Sequence, residues 1–572
     1  MSHRAIFKKR RWDREDTPSN STSRAASASR TPLRNDDDSD FEEDTEEDFK
    51  KIQELLNQRL QSLTLNVDPE NISVNKEDRF GAGDRRQYNA EALNKAKITS
   101  ETTTINDIIR SLLLTRTEVS STSRELLLAQ LYKLMVTKPI MVYNEENIGS
   151  INYVDEEKVQ KVINLFNDSN YRTETEFLYL YRSMIALLIS NIEDFGYMIT
   201  SEFLGKIKVL IQEPATSIIT NDNKSTLING FIALTLVLHN GSSSFGIDDK
   251  INWLMEIAEG FTSSAVLLRK NIESGDREHS TLINDKNEDK RLVSEAYSKV
   301  DSEVSVASSA LNGVACLLTL ISRGEYLNEF VEALILKIIP LLEEEDLRDV
   351  SRASARVIAV IYELYTFEAI NPDDFDNEDY EEFNPNGPYY EQGSLFAILE
   401  RLANISSKKV SKKDKKQSHS IFRNILNTIK VHVDPIKREQ VLLRTPTGLE
   451  IITSIMDSTY IRLSKYKSLP IDSWILYSRL RILKWSFSFG LHDQLVSNES
   501  IRDVLKDSDS EFGNHGGFEI DEHLLHESTY KDYVNDYMDH KHLHDDKRRT
   551  EKIRKERRQK VVEEADRLNV AS

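Results

Sequence analysis

Apolar residues recur at three- and four-residue spacing along most of the chain between about residues 90 and 505. Such spacing places the apolar side chains on one face of a helix. No stretch alternates apolar and polar residues as a half-buried strand would. The pattern predicts helices over residues 105–114, 123–136, 157–166, 175–192, 202–211, 225–238, 251–261, 302–321, 327–342 and 348–365.

Helices this apolar must bury their faces against each other, because no sheet is available to cover them. The predicted helices can be grouped into pairs that recur at a roughly similar spacing, although no strict repeat period can be read from the sequence. The predicted fold class is therefore all-α, an ARM/HEAT-like helical repeat solenoid followed by a C-terminal helical module and a basic tail helix.

Changes in composition divide the chain into four predicted regions. Residues 1–90 are expected to be largely disordered, with one helix over 49–63 that the linker containing Gly81 and Gly83 separates from the main body. The repeat domain covers 91–405, the C-terminal module 406–506, and an acidic loop with the tail helix 507–572. Two polar stretches inside the repeat domain, 274–290 and 371–394, are predicted to be solvated insertions.

The few glycines (19) and prolines (12) favour long helices over turn-rich β architectures. The single cysteine, Cys316, excludes an internal disulfide and a zinc ribbon, and it suits a reducing compartment. No apolar run approaches the ~20 residues that a membrane helix needs, and the start of the sequence lacks the apolar region of a secretory signal. These features predict a cytoplasmic protein, with the nucleus as a further location.

The net charge of −20 repels nucleic acid, so any contact with RNA must use local basic clusters. Three clusters stand out, at Lys8–Arg11, in the lysine run near residue 410, and in the tail. The candidate RNA-binding residues are Lys408, Lys409, Lys412, Lys413, Lys415 and Lys416 in the run, and Lys547, Arg548, Arg549, Lys552, Arg554, Lys555, Arg557, Arg558 and Lys560 in the tail. From charge alone, a solvated helix with pairs such as Glu551–Lys555 is an equally good interpretation.

Sequence motifs for catalysis or for a cofactor do not occur in the chain. There is no GxxxxGK[ST], no GxGxxG after a strand, no GxSxG and no HExxH. The histidines at His540–His544 have no accompanying cysteine or second ligand set, and Asp373–Glu382 lacks the glycine and spacing of an EF-hand. We therefore predict a protein that is not an enzyme, with no catalytic residues, no cofactor, no metal site and no small-molecule substrate.

The region after the lysine run carries a pattern that resembles the interferon-related developmental regulator family. That family has a D-x-K-Q…F-R-x-(I/V)-L motif, then (I/L)-D-S-W before a helix, then a closing G-(M/L)-x-x-x-L…(I/L)-R-D-(I/V). The matching residues here are Asp414, Lys416, Gln417, Phe422, Arg423, Ile425 and Leu426, then Ile471, Asp472, Ser473 and Trp474, then Gly490, Leu491, Leu495, Ile501, Arg502, Asp503 and Val504.

The resemblance implies an α-helical repeat protein without catalysis. Family members associate with translationally inactive ribosomes, occupy the tRNA and mRNA paths, and are also described as transcriptional co-regulators. The expected function is therefore regulation by binding inactive ribosomes, with the basic C-terminal helix contacting rRNA and blocking the mRNA/tRNA path. The alternative is a nuclear transcriptional co-regulator that holds regulatory proteins in the concave face of the solenoid, with Lys8–Arg11 as the import signal. The expected partners are thus the ribosome or transcriptional regulatory proteins, and not a membrane.

Overall fold

The computed structural model describes residues 49–54, 104–117, 119–140, 152–241, 244–279, 286–367, 387–404, 412–435, 437–438, 459–463 and 468–505. The helices are α1 Ile105–Leu113, α2 Ser121–Thr137, α3 Glu156–Asn167, α4 Glu174–Ser190, α5 Ile192–Phe195, α6 Ser201–Gln212, α7 Asn221–His239, α8 Ile247–His279, α9 Lys286–Leu318, α10 Glu325–Leu342, α11 Arg348–Leu364, α12 Gln392–Asn404, α13 Lys412–Val433, α14 Trp474–Phe487, α15 Leu491–Ser497 and α16 Glu499–Val504. Residues 49–54 form a further short helix, and two 3₁₀ turns cover Gly196–Met198 and Ser488–Gly490. The predicted all-α fold class is confirmed.

The helices pack in two layers. Helices α2, α4, α7, α9, α11 and α13 form a row in which each contacts the next. Each of these has a partner in an outer layer, namely α1, α3, α6, α8, α10 and α12 in the same order. The inner helices supply most of the core, and α4 and α11 are buried along nearly their whole length. The stacking of helix pairs explains how such apolar helices bury their surface, while the assignment to ARM or HEAT repeats stays a prediction.

Several helices begin where a hydroxyl side chain accepts a hydrogen bond from the third backbone N–H that follows. The capping residues are Thr104, Ser120, Thr173, Thr200, Thr220 and Ser473. Each such cap satisfies a donor that the helix itself cannot pair, and it contributes about 1 kcal/mol. The starting points of α1, α2, α4, α6, α7 and α14 are therefore encoded locally.

Helices α8 and α9 are much longer than the sequence pattern predicted. The apolar periodicity indicated 251–261 and 302–321, whereas each helix has 33 residues and only 280–285 between them lie outside the described residues. The expectation of a solvated insertion over 274–290 is therefore wrong for 274–279 and 286–290, which are helical. Low apolar content does not show that a segment is unwound, because Glu, Lys and Arg are good helix formers. The other predicted insertion, 371–394, is helical from Gln392 onwards, and its residues 371–386 lie outside the described residues.

Two short strands, which the sequence analysis missed, lie directly before α14. Thr459–Arg462 (β1) pairs antiparallel with Ser468–Ile471 (β2), with Thr459 opposite Ile471. Threonine, tyrosine and isoleucine favour strands, but four residues are too few for a periodicity argument. Because β2 ends one residue before Asp472, the hairpin fixes where the chain enters α14.

Helix α14 crosses the inner row and contacts α2, α4, α7, α9 and α11. Its 14 residues span about 21 Å at 1.5 Å per residue. Helix α14 therefore lies across the inner row and joins its successive helices.

The helix at residues 49–54 packs on this same body. The ring of Phe49 meets the ring of Phe489 edge-on with centroids 5.1 Å apart, and Ile52 is 1% exposed. The expectation that this helix lies apart from the main body is wrong, since Phe49 contacts Phe489 and Ile52 is buried in the core. Residues 55–63 of the predicted helix lie outside the described residues.

Candidate functional site

The N-terminus of α14 is held by a carboxylate from another helix. The two oxygens of Glu363 on α11 accept the backbone N–H groups of Trp474 and Ile475 at 2.9 and 3.0 Å. Ser473 completes the cap by accepting the N–H of Leu476. Since Glu363 is 5% exposed, these bonds lie in the protein interior, where the positive end of the helix favours an anion.

Trp474 fastens this end of α14 to α13 as well. Its indole N–H donates to the Thr428 hydroxyl at 2.9 Å, and its ring contacts Tyr477 edge-on. The indole is almost fully buried. Trp474, which the family motif singled out, is thus a packing residue that joins α11, α13 and α14.

The middle of α14 carries a buried arginine that donates hydrogen bonds to two other segments. Arg479 donates to the hydroxyl and the carbonyl oxygen of Thr319 at 2.8 and 2.7 Å, and to the carbonyl oxygen of Val504 at 3.2 Å. Thr319 follows α9, and Val504 ends α16. Buried guanidinium groups require such fixed acceptors, so Arg479 ties the closing segment of the motif to the inner row.

The far end of α14 meets α2 and α4. Arg182 donates to the carbonyl oxygen of Trp485 at 3.2 Å, and its guanidinium lies 4.7 Å from the ring centre of Tyr132. The Tyr132 hydroxyl donates to the carbonyl oxygen of Ser486. These contacts satisfy the last carbonyls of α14, which have no partner within the helix.

Gly490 lies against the end of α2 with no room for a side chain. A Cβ placed on Gly490 would be 2.1 Å from the carbonyl oxygen of Val136. The amide of Gln494 donates to the carbonyls of Met135, Val136 and Lys138, so it caps the C-terminus of α2. The glycine of the motif is therefore required by a backbone approach between elements more than 350 residues apart in sequence.

The closing part of the motif is also structural. Asn498 donates to the carbonyl oxygen of Ser190 at the end of α4, and Arg502 donates to the carbonyls of Leu495 and Val496 at the end of α15. Asp503 is partly buried beside them. Together the residues from Ser473 to Asp503 hold the C-terminal segment against the inner row.

The first part of the motif divides between core and surface. On α13, Phe422 is buried and Arg423 is exposed, while the side chains of Asp414 and Gln417 are outside the described residues. Asp472 is partly buried before α14.

The predicted RNA-binding residues are placed only in part. The backbones of Lys412, Lys413, Lys415 and Lys416 lie in the first turns of α13, and their side chains are not described. Lys408, Lys409 and all nine tail residues from Lys547 to Lys560 lie outside the described residues. Their role in binding RNA stays a prediction.

A buried histidine lies on α13 near the motif. His432 is 5% exposed, and burial, followed by the charges of Arg323 and Arg438, lowers its pKa to about 4. His432 is therefore neutral at pH 7, and acid must charge it in a region that already holds two cations.

Sequence reasoning missed a group of arginines on the outward face of α14. Arg481 lies there between Tyr477 and Trp485, and all three side chains are partly buried. Arg352 and Arg356 of α11 lie beside Arg481, whose pKa falls to about 10 because of burial and then because of the charge of Arg356. The spacing of 477, 481 and 485 at four-residue intervals was visible in the sequence, but the partner helix was not.

Two further classes of site were sought among the described residues. No group of three or more His, Cys, Asp or Glu side chains there is arranged to hold a metal ion. Within the same ranges, no helix combines the length and the hydrophobicity needed to cross a bilayer.

Comparison with known families finds one similarity, in the segment that contacts α14. The family model described as interferon-related developmental regulator (IFRD) matches residues 289–430. This segment, about a quarter of the chain, is similar to that family. The predicted resemblance is thereby confirmed, and the match to a regulatory family supports a regulatory role for the chain. No curated protein matches the chain.

The segment that matches the IFRD model runs from α9 into α13, and it supplies residues that bind α14. Thr319, Glu363 and Thr428 all lie inside it, and they bind Arg479, the α14 N-terminus and Trp474. The IDSW and closing motifs lie outside the matched range. The geometry nevertheless links the two parts, because the N-terminus of α14, Trp474 and Arg479 all bind residues of the matched segment.

Proposed function

We propose that the protein is a non-enzymatic regulator that binds translationally inactive ribosomes, with its basic C-terminal segment contacting rRNA and blocking the mRNA/tRNA path. The IFRD segment supports the regulatory role. The observation that supports contact with RNA is the concentration of positive charge in the tail. Residues 547–560 hold nine cations and two glutamates, in a chain of net charge −20. The resulting location is cytoplasmic.

The physical basis is release of counterions from RNA. Each phosphate that a Lys or Arg neutralises frees condensed cations, so binding becomes steeply dependent on salt. An acidic body adds no such gain, and it repels the same phosphates. Binding must therefore run through the basic segments, and it reads RNA shape rather than base sequence.

The lysines at the start of α13 supply a second contact in this proposal. Four of them fall within five residues of a helix whose later residues Ile421, Phe422 and Ile425 are buried in the core. A rigid helix thus fixes the position of this charge on the body. A cation cluster on a rigid element fixes the orientation of bound RNA, which a free tail alone would not do.

The alternative function is that of a nuclear co-regulator that binds proteins. In this alternative the partners bind the inner row beside α14, which covers part of that row. The observation that favours this candidate lies on the outer layer, where Tyr326 and Leu336 of α10 are 59% and 51% exposed. Imaging tests it directly, and exclusion of the full chain from the nucleus would remove it.

One gradient experiment tests the ribosome proposal. We expect the full chain to sediment with ribosomes in sucrose and to shift to the top of the gradient after RNase treatment. Deletion of Thr550–Ser572 should weaken co-sedimentation in low salt. If the deleted chain sediments as the full chain does, the role given to the tail is wrong.

A further inference from the structure

Two helices of the outer layer, α8 and α10, lie side by side and run in the same direction. At their starts, the hydroxyl of Tyr326 on α10 donates to Asp248 on α8 at 2.8 Å. Further along, Arg269 of α8 pairs with Asp346, just after α10, at 2.9 Å. These contacts lie about 30 Å apart at 1.5 Å per residue. We call the exposed surface of residues 248–269 and 325–346 the α8–α10 face.

Apolar side chains are exposed along the α10 half of this face. Tyr326 and Leu336 are 59% and 51% exposed, and Ala333 and Pro340 are exposed with them. Steps of seven, three and four residues separate these positions, so they share one side of the helix. Such a stripe is the surface by which a helix packs on another helix, and here the described residues leave it uncovered.

Carboxylates without partners flank the apolar stripe. Glu325 and Glu329 on α10, and Glu256 and Glu259 on α8, are exposed, and within the described residues their side chains form no ion pair or hydrogen bond. The first two lie one turn apart, where like charges repel. In all, the α8–α10 face holds eleven Asp and Glu residues against three Lys and Arg. An occupant of this face must therefore combine positive charge with an apolar stripe of its own.

We propose that the basic tail of the same chain, residues 547–568, docks on the α8–α10 face when no RNA is bound. Residues 547–560 hold nine cations. Ile553 and Val561 are eight residues apart, so the helix predicted here presents both on one side, between cations. A helix of that length spans about 33 Å, which matches the length of the face. Charge and apolar pattern are thus complementary along the whole contact.

The chain between the body and the tail is long enough for this contact. The described part of the body ends at Leu505, so residues 506–546 precede the tail. A flexible chain of that length has a root-mean-square end-to-end distance of about 35 Å. Two layers of helices are about 20 Å thick, so the tail reaches the outer layer from the inner side. Tethering raises its local concentration to the mM range, where even a weak contact is populated.

The consequence for the proposed function is competition between the α8–α10 face and RNA. Tail cations that are docked on carboxylates cannot neutralise phosphates, so the apparent affinity for RNA falls with the fraction of chains whose tail is docked. RNA of high charge density displaces the face by releasing counterions. This regulatory meaning rests on the proposed function, whereas the docking itself rests only on the two complementary surfaces.

Anisotropy of a fluorescein-labelled oligouridine measures how far docking masks the tail. The variant Glu256→Gln/Glu329→Gln weakens the face in the full chain. Its matched control, Glu157→Gln/Glu202→Gln, removes the same charge from exposed positions of α3 and α6. We expect the face variant to bind RNA about 5-fold more tightly than the control, because the docked state loses two ion pairs. Equal affinities of the two variants would overturn the proposal.

A second background separates docking from direct repulsion of RNA by the face. When the nine tail cations are changed to glutamine, the face variant should bind RNA no more tightly than the control, since there is no cationic tail to release. A gain in affinity that persists in this background would overturn the proposal. All substituted carboxylates are exposed, so we expect an unchanged Tm in both variants.

Carbodiimide cross-linking locates the tail directly, because it joins a lysine amine to a carboxylate in contact with it. We expect links from the tail lysines to Glu256 or Glu329, and their loss when excess oligouridine is added. Links to the acidic runs at 36–48 or 373–382 instead of the face would overturn the proposal. So would links between a light and a heavy chain in a mixture of ordinary and nitrogen-15-labelled protein, since the occupant would then be a second copy.

The outcomes separate this inference from the proposed function. If the tail lysines link to the face but the chain with nine altered tail cations still co-sediments with ribosomes, the docking stands and the role of the tail on ribosomes fails. If no such links form while that chain loses its ribosomes, the docking fails and the proposed function stands.

Discussion

Removing the carboxylate of Glu363 should detach the start of α14 from the inner row. In the native chain the two oxygens accept two backbone N–H groups of α14, and the residue is 5% exposed. Glu363→Ala leaves the N–H groups of Trp474 and Ile475 without their acceptors in a place that water reaches poorly. It also removes a negative charge from the positive end of the helix.

The expected cost follows from these contacts. Each buried donor left unpaired costs about 1–3 kcal/mol, and loss of an anion at a partly buried helix N-terminus costs up to about 2 kcal/mol. Glu363→Ala should therefore destabilise this region by about 4 kcal/mol. Glu363→Gln keeps one carbonyl acceptor and should cost about half as much.

Hydrogen exchange detected by mass spectrometry is the suitable assay, because a chain of this size need not unfold in one step. About 4 kcal/mol corresponds to about a 1,000-fold faster opening of the peptide that contains Trp474 and Ile475. Glu329→Ala, at an exposed position of α10, is the matched control. Exchange in Glu363→Ala no faster than in this control would refute the role of the carboxylate.

Three further predictions follow from other contacts. Gly490→Ala should lower the free energy of unfolding in a urea melt by about 3 kcal/mol or more, since its Cβ would lie 2.1 Å from the Val136 carbonyl oxygen. The control Gly205→Ala, with nothing within 4 Å of its Cβ, should be neutral or stabilising by up to about 1 kcal/mol. Equal effects of the two substitutions would refute the close approach. Burial lowers the pKa of His432 from 6.5 to about 4, so the contribution of neutral His432 to stability is fully present above pH 6.5. About 3 kcal/mol of stability is lost as the pH falls from 6.5 to about 4. His432→Gln should flatten the dependence of stability on pH over this window, and an unchanged slope would contradict the lowered pKa. Burial raises the pKa of the Cys316 thiol to about 12, so a thiol-specific disulfide reagent at pH 8 should label it only in urea; rapid labelling of the native chain would show that the core is open.

Those parts of the fold could be predicted whose sequence shows a continuous apolar periodicity. α10 and α11 were predicted within two residues of their observed bounds, because one face of each helix is continuously apolar. The ends of α8 and α9 were missed, since the sequence there carries no apolar stripe. The β1–β2 hairpin was missed because four-residue strands leave too little pattern.

The candidate site was less predictable than the fold. The motif residues Trp474 and Gly490 could be selected from the sequence, but their reasons could not, since Thr428 and Val136 are remote along the chain. A polar residue such as Arg479 gives no sequence signal that it is buried against Thr319. Sequence patterns report on one helix at a time, whereas Arg481 comes close to Arg352 and Arg356 only when α11 and α14 pack together.

The most direct test of the account is the dependence of ribosome co-sedimentation on salt. The native full chain is compared with a chain in which the nine cations between Lys547 and Lys560 are changed to glutamine. The account predicts that the native chain dissociates steeply as salt rises, and that the altered chain fails to co-sediment even in low salt. Co-sedimentation of both chains with the same salt dependence would contradict it.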